Sequence, residues 1–340
     1  MTDSVLVRRW SSVSIITVIG LVGIIAILVF GPLFLGSYAT ERLTTLFIYI
    51  ILAVMWNALA GYAGLVSVGQ QAFFGLGAYV VIRLSSGGVP VYPAIALAPV
   101  IVAVLALALS PLALRLRGGE FAIGMWVFAE LAHLLVNLDS LIQGETGTSL
   151  IAISAFAPGV RRADNYWFAL GAMTIFLALV FVLLRSRAGA SVQAIRDNEE
   201  AAASVGVRVM ATKRTIFVLA AAGCAAAGAL TLSTLITFQP KAFFSVQWTA
   251  YMIFMTLVGG LGTFEGPIIG AVVFFIVESL FGASGVWYLI TLGASALVFS
   301  LWVPRGIWGT LSARSGLRLM PIGYRLLFRD KHTVEENVQA

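Results

Sequence analysis

In the segment GYAGLVSVGQQAFFGLGAY, residues 61–79, Ser67, Gln70 and Gln71 stand at i, i+3 and i+4. On a helix that spacing puts all three on one face. A hydroxyl and two amides can exchange hydrogen bonds with a polar solute, but they supply neither a nucleophile nor a base. The chemistry they suit is the lining of a polar path; the blander alternative is a tight turn with helix-packing glue. Gly61, Gly64 and Gly69 interrupt the same stretch, and small residues at membrane depth permit close helix contact or a break. A second glycine-rich segment, VGGLGTFEGPIIGAVVFFIVE, carries Gly259, Gly260 and Gly262. Shifting by 196 residues aligns Gly64-Leu65 with Gly260-Leu261 and Ser67 with Thr263. Interrupted apolar segments in corresponding positions of two halves point to a transporter's site. The predicted topology puts both turns on the inner side, which favours a parallel relation over an inverted one.

A third segment, RSRAGASVQAIRDNEEAAASVGVRVMATKR, groups Arg196, Asp197, Asn198, Glu199 and Glu200. Ser191–Ala203 reads as a short amphipathic helix ending near Gly206. Some 30 residues with an internal helix exceed what a link between two spans requires, so a docking surface for a soluble partner competes with a merely solvated loop. Catalytic readings fare worse. Glu130, His133 and Asp139 lie on or near one span and Glu278 on another. Charges at span centres cost about 2.5–3.5 kcal/mol each, so these face the bundle interior or lie near its ends, as a proton relay or, for Glu130 and His133, simply bonded to each other. The GASG of 282–285 resembles an intramembrane serine protease motif centred on Ser284, but it falls at an outer turn. No phosphate-binding loop is present, so the chain does not hydrolyse ATP itself. The single cysteine, Cys224, reads as a small packing residue, and no metal-ligand spacing occurs.

What must position these residues follows from composition. Sixty per cent of the 340 residues are hydrophobic and 11% charged, against about 25% charged in a soluble domain. Charge-free stretches run over 10–40, 43–82, 84–114, 165–184, 215–240, 242–264 and 279–304, and about 20 apolar residues span a bilayer core. The pattern predicts an all-α polytopic transmembrane helical bundle of about ten spans: 13–35 (uncleaved), 43–60, 64–83, 91–114, 121–142, 166–184, 215–237, 247–261, 266–281 and 286–303. Both termini are then cytoplasmic. That arrangement places 16 Lys and Arg inside and 5 outside, as the positive-inside rule requires. The net charge of +6 follows membrane topology, and nucleic acid is not an expected partner. The expected organisation is a permease domain over 1–310, holding a cytoplasmic loop at 185–214, and a basic tail over 311–340 whose last dozen residues are poorly ordered.

Together GLVSVGQQAFFGLGAY (64–79), LRLRGGEFAIGMWVFAE (114–130), RSRAGASVQAIRDNEEAAASVGV (185–207), GGLGTFEGPIIGA (259–271) and VPRGIWG (303–309) resemble, in order, the permease subunits of ABC importers for branched-chain amino acids, in particular the LivM-like subunit. The resemblance implies a bacterial inner-membrane protein with no cofactor of its own. Its partners would be a second homologous permease, two ATPase subunits that use the ATP, and an extracytoplasmic solute-binding protein. It also implies that Arg196–Ala203 is the coupling helix seated in an ATPase groove. The chain departs from the family's pattern at Gly69-Gln70-Gln71, where Gly-His-Ala is usual. It departs again in the outer loop, which reads Thr146-Gly147-Thr148 in place of Thr-Gly-Gly. Both places are where solute or binding protein would be met, and relatives handle urea, short amides or other amino acids. A stand-alone secondary transporter or channel is the rival reading.

Overall fold

A computed structural model describes residues 5–8, 12–282, 285–315, 319–320 and 325–328. Ser284 and the last dozen residues lie outside them. The apolar stretches form helices because, at membrane depth, a helix satisfies its backbone groups internally. The helices are α1 (Ser12–Val29), α2 (Gly31–Phe34), α3 (Ser37–Asn57), α4 (Gln71–Ser86), α5 (Val91–Ala113), α6 (Gly118–Asn137), α7 (Pro158–Arg185), α8 (Arg187–Asp197), α9 (Glu199–Ser204), α10 (Val209–Leu235), α11 (Pro240–Phe243), α12 (Val246–Gly259), α13 (Gly266–Phe281), α14 (Val286–Trp302) and α15 (Gly306–Ser315). Among the described residues, seven stretches are helical, long and apolar enough to cross a membrane, and α1 and α13 are shorter apolar helices. The chain is thus an all-α polytopic bundle.

Helices α3 and α10 form the buried centre. Around them α1, α5, α6, α7 and α14 turn bulky side chains outward, among them Ile16, Val104, Val127, Val182 and Leu301. An apolar belt of that extent is a lipid-facing surface. Inside, α4 lies on α10 with backbones nearly touching. A Cβ on Gly77 would clash with the Ala225 carbonyl, and one on Gly228 with the Phe74 carbonyl.

The sequence expectations need two corrections. The span at 64–83 is not one helix: residues 64–70 are non-helical, and α4 begins only at Gln71. Ser67 and Gln70 therefore share no helix face with Gln71. The expected helix over 191–203 is instead two, α8 and α9, because Asn198 takes extended dihedrals (φ −160°, ψ 109°) and caps α9 by accepting from the Ala201 N–H at 3.0 Å. Asparagine competes with the backbone in this way and favours caps over helix interiors.

Two small antiparallel ladders complete the fold. β1 (Val5–Arg8) pairs with β4 (Arg325–Phe328), Val5 opposite Phe328. β2 (Thr148–Ser149) pairs with β3 (Thr237–Phe238).

Candidate functional site

At the end of the bundle that carries α8 and α9, both glycine-rich segments interrupt their helices and meet. Helix α3 runs through a π turn at Ala58–Tyr62 into the non-helical stretch 64–70; α12 runs into the turn 260–265 and α13 follows. Gly64 (φ +69°), Gly260 (φ +135°) and Gly262 (φ +75°) adopt backbone that L side chains rarely take. Both breaks lie at the same end, α3 and α12 entering them and α4 and α13 leaving, so their relation is parallel. The aligned hydroxyls do similar work. Ser67 Oγ accepts from the Gly69 N–H at 3.3 Å, and Thr263 Oγ1 from the Gly266 N–H at 3.1 Å.

Asn57, 2% exposed, staples the two breaks together. Its Nδ2 donates to the Thr263 carbonyl and its Oδ1 accepts from the Gly262 N–H, both at 2.8 Å. Gly61 admits that approach, since a Cβ there would strike Asn57 Oδ1 and the Gly262 backbone. Gly306 (φ +67°) seats the turn before α15 on Gly260 in the same way, and Gly259 closes on the Gly266 carbonyl.

The docking loop is wired into this junction. Arg196 Nη1 donates to the Gly61 carbonyl at 3.1 Å, while its Nε and Nη2 reach Asp197 Oδ1 at 3.0 and 2.9 Å. Glu199 accepts from the nearly buried Lys213 Nζ at 2.6 Å, tying α9 to α10. Of the five clustered residues, Glu199 alone is half-buried and points its charge into the bundle, while Arg196, itself exposed, reaches the bundle through Nη1 only. Asp197, Asn198 and Glu200 remain exposed.

Ser67, Gln70 and Gln71 are all buried within the chain, at 1% exposure or less. The Trp56 indole N–H donates to the Ser67 carbonyl at 3.0 Å. The Cys224 thiol lies 3.5 Å from Gln70 Oε1, and Gln71 pairs with Thr249. Gly69 lies directly against the Met125 carbonyl.

At the far end, a polar latch holds the loop between α6 and α7. His133 Nε2 meets Glu145 Oε1 at 2.9 Å and its Nδ1 meets Glu130 Oε1 at 3.3 Å. The Asn137 amide donates to Glu145 at 2.6 Å, and the Lys241 N–H donates to its other oxygen at 3.1 Å. Burial acts to raise the Glu145 pKa, but Asn137, His133 and the Lys241 N–H outweigh it and hold the carboxyl below its ordinary range. Asp139 is likewise held low, first by the Tyr79 hydroxyl at 2.7 Å, then by the Leu141 N–H and Arg83. Gly147 (φ +76°) packs on the Phe238 carbonyl where β2 joins β3. Thr146 is exposed and Thr148 half-buried. Glu278 stands apart and accepts from the Tyr49 hydroxyl at 2.8 Å.

Sequence reasoning missed Asn57, Thr249 and Lys213. Asn57 did leave a signal, as a lone amide in an apolar span four residues before Gly61. Thr249 left none, because any of several span threonines could have faced Gln71.

The geometry sets the comparisons in context. The high-affinity branched-chain amino acid transport system permease protein LivM of Salmonella typhimurium is 26% identical over 84% of this chain and 74% of its own length. That of Escherichia coli is 25% identical over the same shares. The fructose import permease protein FrcC of Rhizobium meliloti is 26% identical over 52% of each chain. No solved structure gives a significant match. The family described as branched-chain amino acid transport system, permease component, matches residues 38–301, a range that contains both glycine breaks, the Asn57 staple and the docking loop; the chain belongs to that family of transport permeases.

Proposed function

We propose that this chain is a membrane-spanning subunit of an ATP-driven importer for branched-chain or related amino acids in the bacterial inner membrane, with ten spans and both ends cytoplasmic. The pairing of β1 with β4 supports an even number of spans, because it sets residues 5–8 beside residues 325–328. The single observation that carries the reading is the docking loop. It presents Asp197, Asn198 and Glu200 to solution while Arg196 and Glu199 fasten it to the two breaks and to α10. An ATPase seated on the exposed residues pushes α8 and α9 when it closes. Arg196 passes that displacement to the Gly61 carbonyl, and Asn57 passes it on to the second break. A second permease completes the pore, two ATPases supply the energy, and a binding protein delivers solute at the face carrying the loop 138–157.

Coexpression with ATPase subunits of the same organism's amino acid importers tests this. The charge reversals Asp197→Lys and Glu200→Lys should abolish copurification of the ATPases while the chain stays inserted. Solute transport in liposomes by this chain alone, or ATPase retention in the double variant, defeats the proposal.

A further inference from the structure

Non-helical backbone at hydrocarbon depth is tolerated only where it is buried in protein or lines a water-filled cavity, because lipid cannot hydrogen-bond its polar groups. Residues 64–70 pose that problem directly. The stretch starts beside Arg196 at the cytoplasmic end and reaches Gly69, which lies against the Met125 carbonyl. Met125 is seven residues into α6, about 10 Å from its start at 1.5 Å per residue. The stretch therefore occupies the inner third of the membrane. Over 64–68 its burial alternates with the two-residue period of a strand. Leu65 and Ser67 are buried, Gly64 and Val66 are exposed (Val66 by 48%), and Val68 is half-exposed.

The backbone follows the same division. The Leu65 N–H is bonded to the Leu59 carbonyl at 3.0 Å and the Ser67 carbonyl to Trp56. Among the described residues, neither the N–H nor the C=O of Val66 or Val68 has a partner. Unmet donors and acceptors in hydrocarbon cost several kcal/mol each, so lipid does not cover this edge. The polar side chains that first suggested a path, Ser67, Gln70 and Gln71, sit on the opposite, buried side.

We infer that the edge formed by Gly64, Val66 and Val68 lines a water-filled inner section of the solute path, and that the free N–H and C=O groups of Val66 and Val68 hydrogen-bond the carboxylate and ammonium ends of a zwitterionic solute. The valine side chains then present an apolar wall beside that polar edge, which suits a solute with an aliphatic side chain. The solute assignment rests on the importer reading; the orientation of the edge does not.

Single-cysteine scanning tests it in the assembled transporter. The one native cysteine, Cys224, is fully buried and serves as a silent background. Cysteines at 65, 66, 67 and 68 are treated with a membrane-impermeant maleimide from the cytoplasmic side. Labelling of Val66→Cys and Val68→Cys should run at least about tenfold faster than that of Leu65→Cys and Ser67→Cys, since thiol reactivity follows exposure, and saturating leucine should slow it. Labelling only by a lipid-soluble maleimide overturns the inference, as does cross-linking of 66 and 68 to the second permease without labelling. So does equal labelling of all four positions. Should Leu65→Cys or Ser67→Cys misfold, hydroxyl-radical footprinting of the unaltered chain reads the same alternation as oxidation at Val66 against protection at Leu65. A correct labelling pattern without leucine protection, in a transporter that imports no amino acid, refutes the solute and leaves the edge in place.

Discussion

Asn57 joins two chain segments some 200 residues apart, and its removal offers a quantitative test of the junction. In Asn57→Ala, the Gly262 N–H and the Thr263 carbonyl lose their side-chain partner. A group orphaned in a buried setting costs about 1–3 kcal/mol. Both bonds are only partly buried, so the lower part of the range applies and the pair should cost about 2–4 kcal/mol. Asn57→Leu fills the volume but restores neither bond, so it should lose nearly as much. The assay is unfolding of the purified chain by SDS in mixed micelles, followed by the summed fluorescence of its eight tryptophans, of which Trp56, the preceding residue, bonds to the Ser67 carbonyl. Both variants should also lower uptake by the assembled transporter, since displacement of the docking loop no longer reaches the second break. A loss below about 0.5 kcal/mol, the range of an ordinary surface substitution, or an Asn57→Leu variant as stable as the parent, refutes the staple.

The Glu199–Lys213 pair should respond asymmetrically. Lys213 is the buried partner, and removing one member of a buried pair strands the other charge, so Glu199→Gln should destabilise the chain more than Lys213→Met in the same SDS titration. Gly69→Ala and Gly77→Ala force a methyl onto a backbone carbonyl that cannot move aside and should each cost at least about 1–3 kcal/mol, whereas Gly23→Ala meets nothing within 4 Å and should match the parent in size-exclusion yield. The loop 138–157 should come loose on acidification. Depressed carboxyls such as Asp139 and Glu145 bind fewer protons folded than unfolded, so their contribution is present at neutral pH and lost as pH falls through their folded values. Pepsin cleavage within 138–157 should rise below about pH 4 and depend less on pH in Glu145→Gln; unchanged cleavage over that range counts against the latch.

The bundle, its membrane setting and the place of both breaks were legible in the sequence because they are written in one dimension, as charge-free runs interrupted by glycine. The family was legible for the same reason. What escaped was direction. Ser67, Gln70 and Gln71 have helical spacing, yet Gly64 at φ +69° takes the chain out of the helix ahead of them, so Ser67 lies on the non-helical stretch and Gln71 opens α4, all three buried. Arg196 and Glu199 read as solvated docking charges, but whether a loop charge faces water or a carbonyl such as that of Gly61 depends on tertiary contacts distant in sequence. The split at Asn198 was readable in principle, since an asparagine followed by two glutamates is an N-cap followed by an acidic first turn.

The bare contacts between α4 and α10 have a kinematic meaning. Where Gly77 meets Ala225 and Gly228 meets Phe74, no side chain lies between the two backbones to re-pack, so neither helix can roll or slide against the other. They form a single stator. Any cycle of opening and closing must be articulated elsewhere, along seams such as that between α12 and α14, where larger side chains can exchange neighbours. The second glycine break ends α12, the helix on one side of that seam.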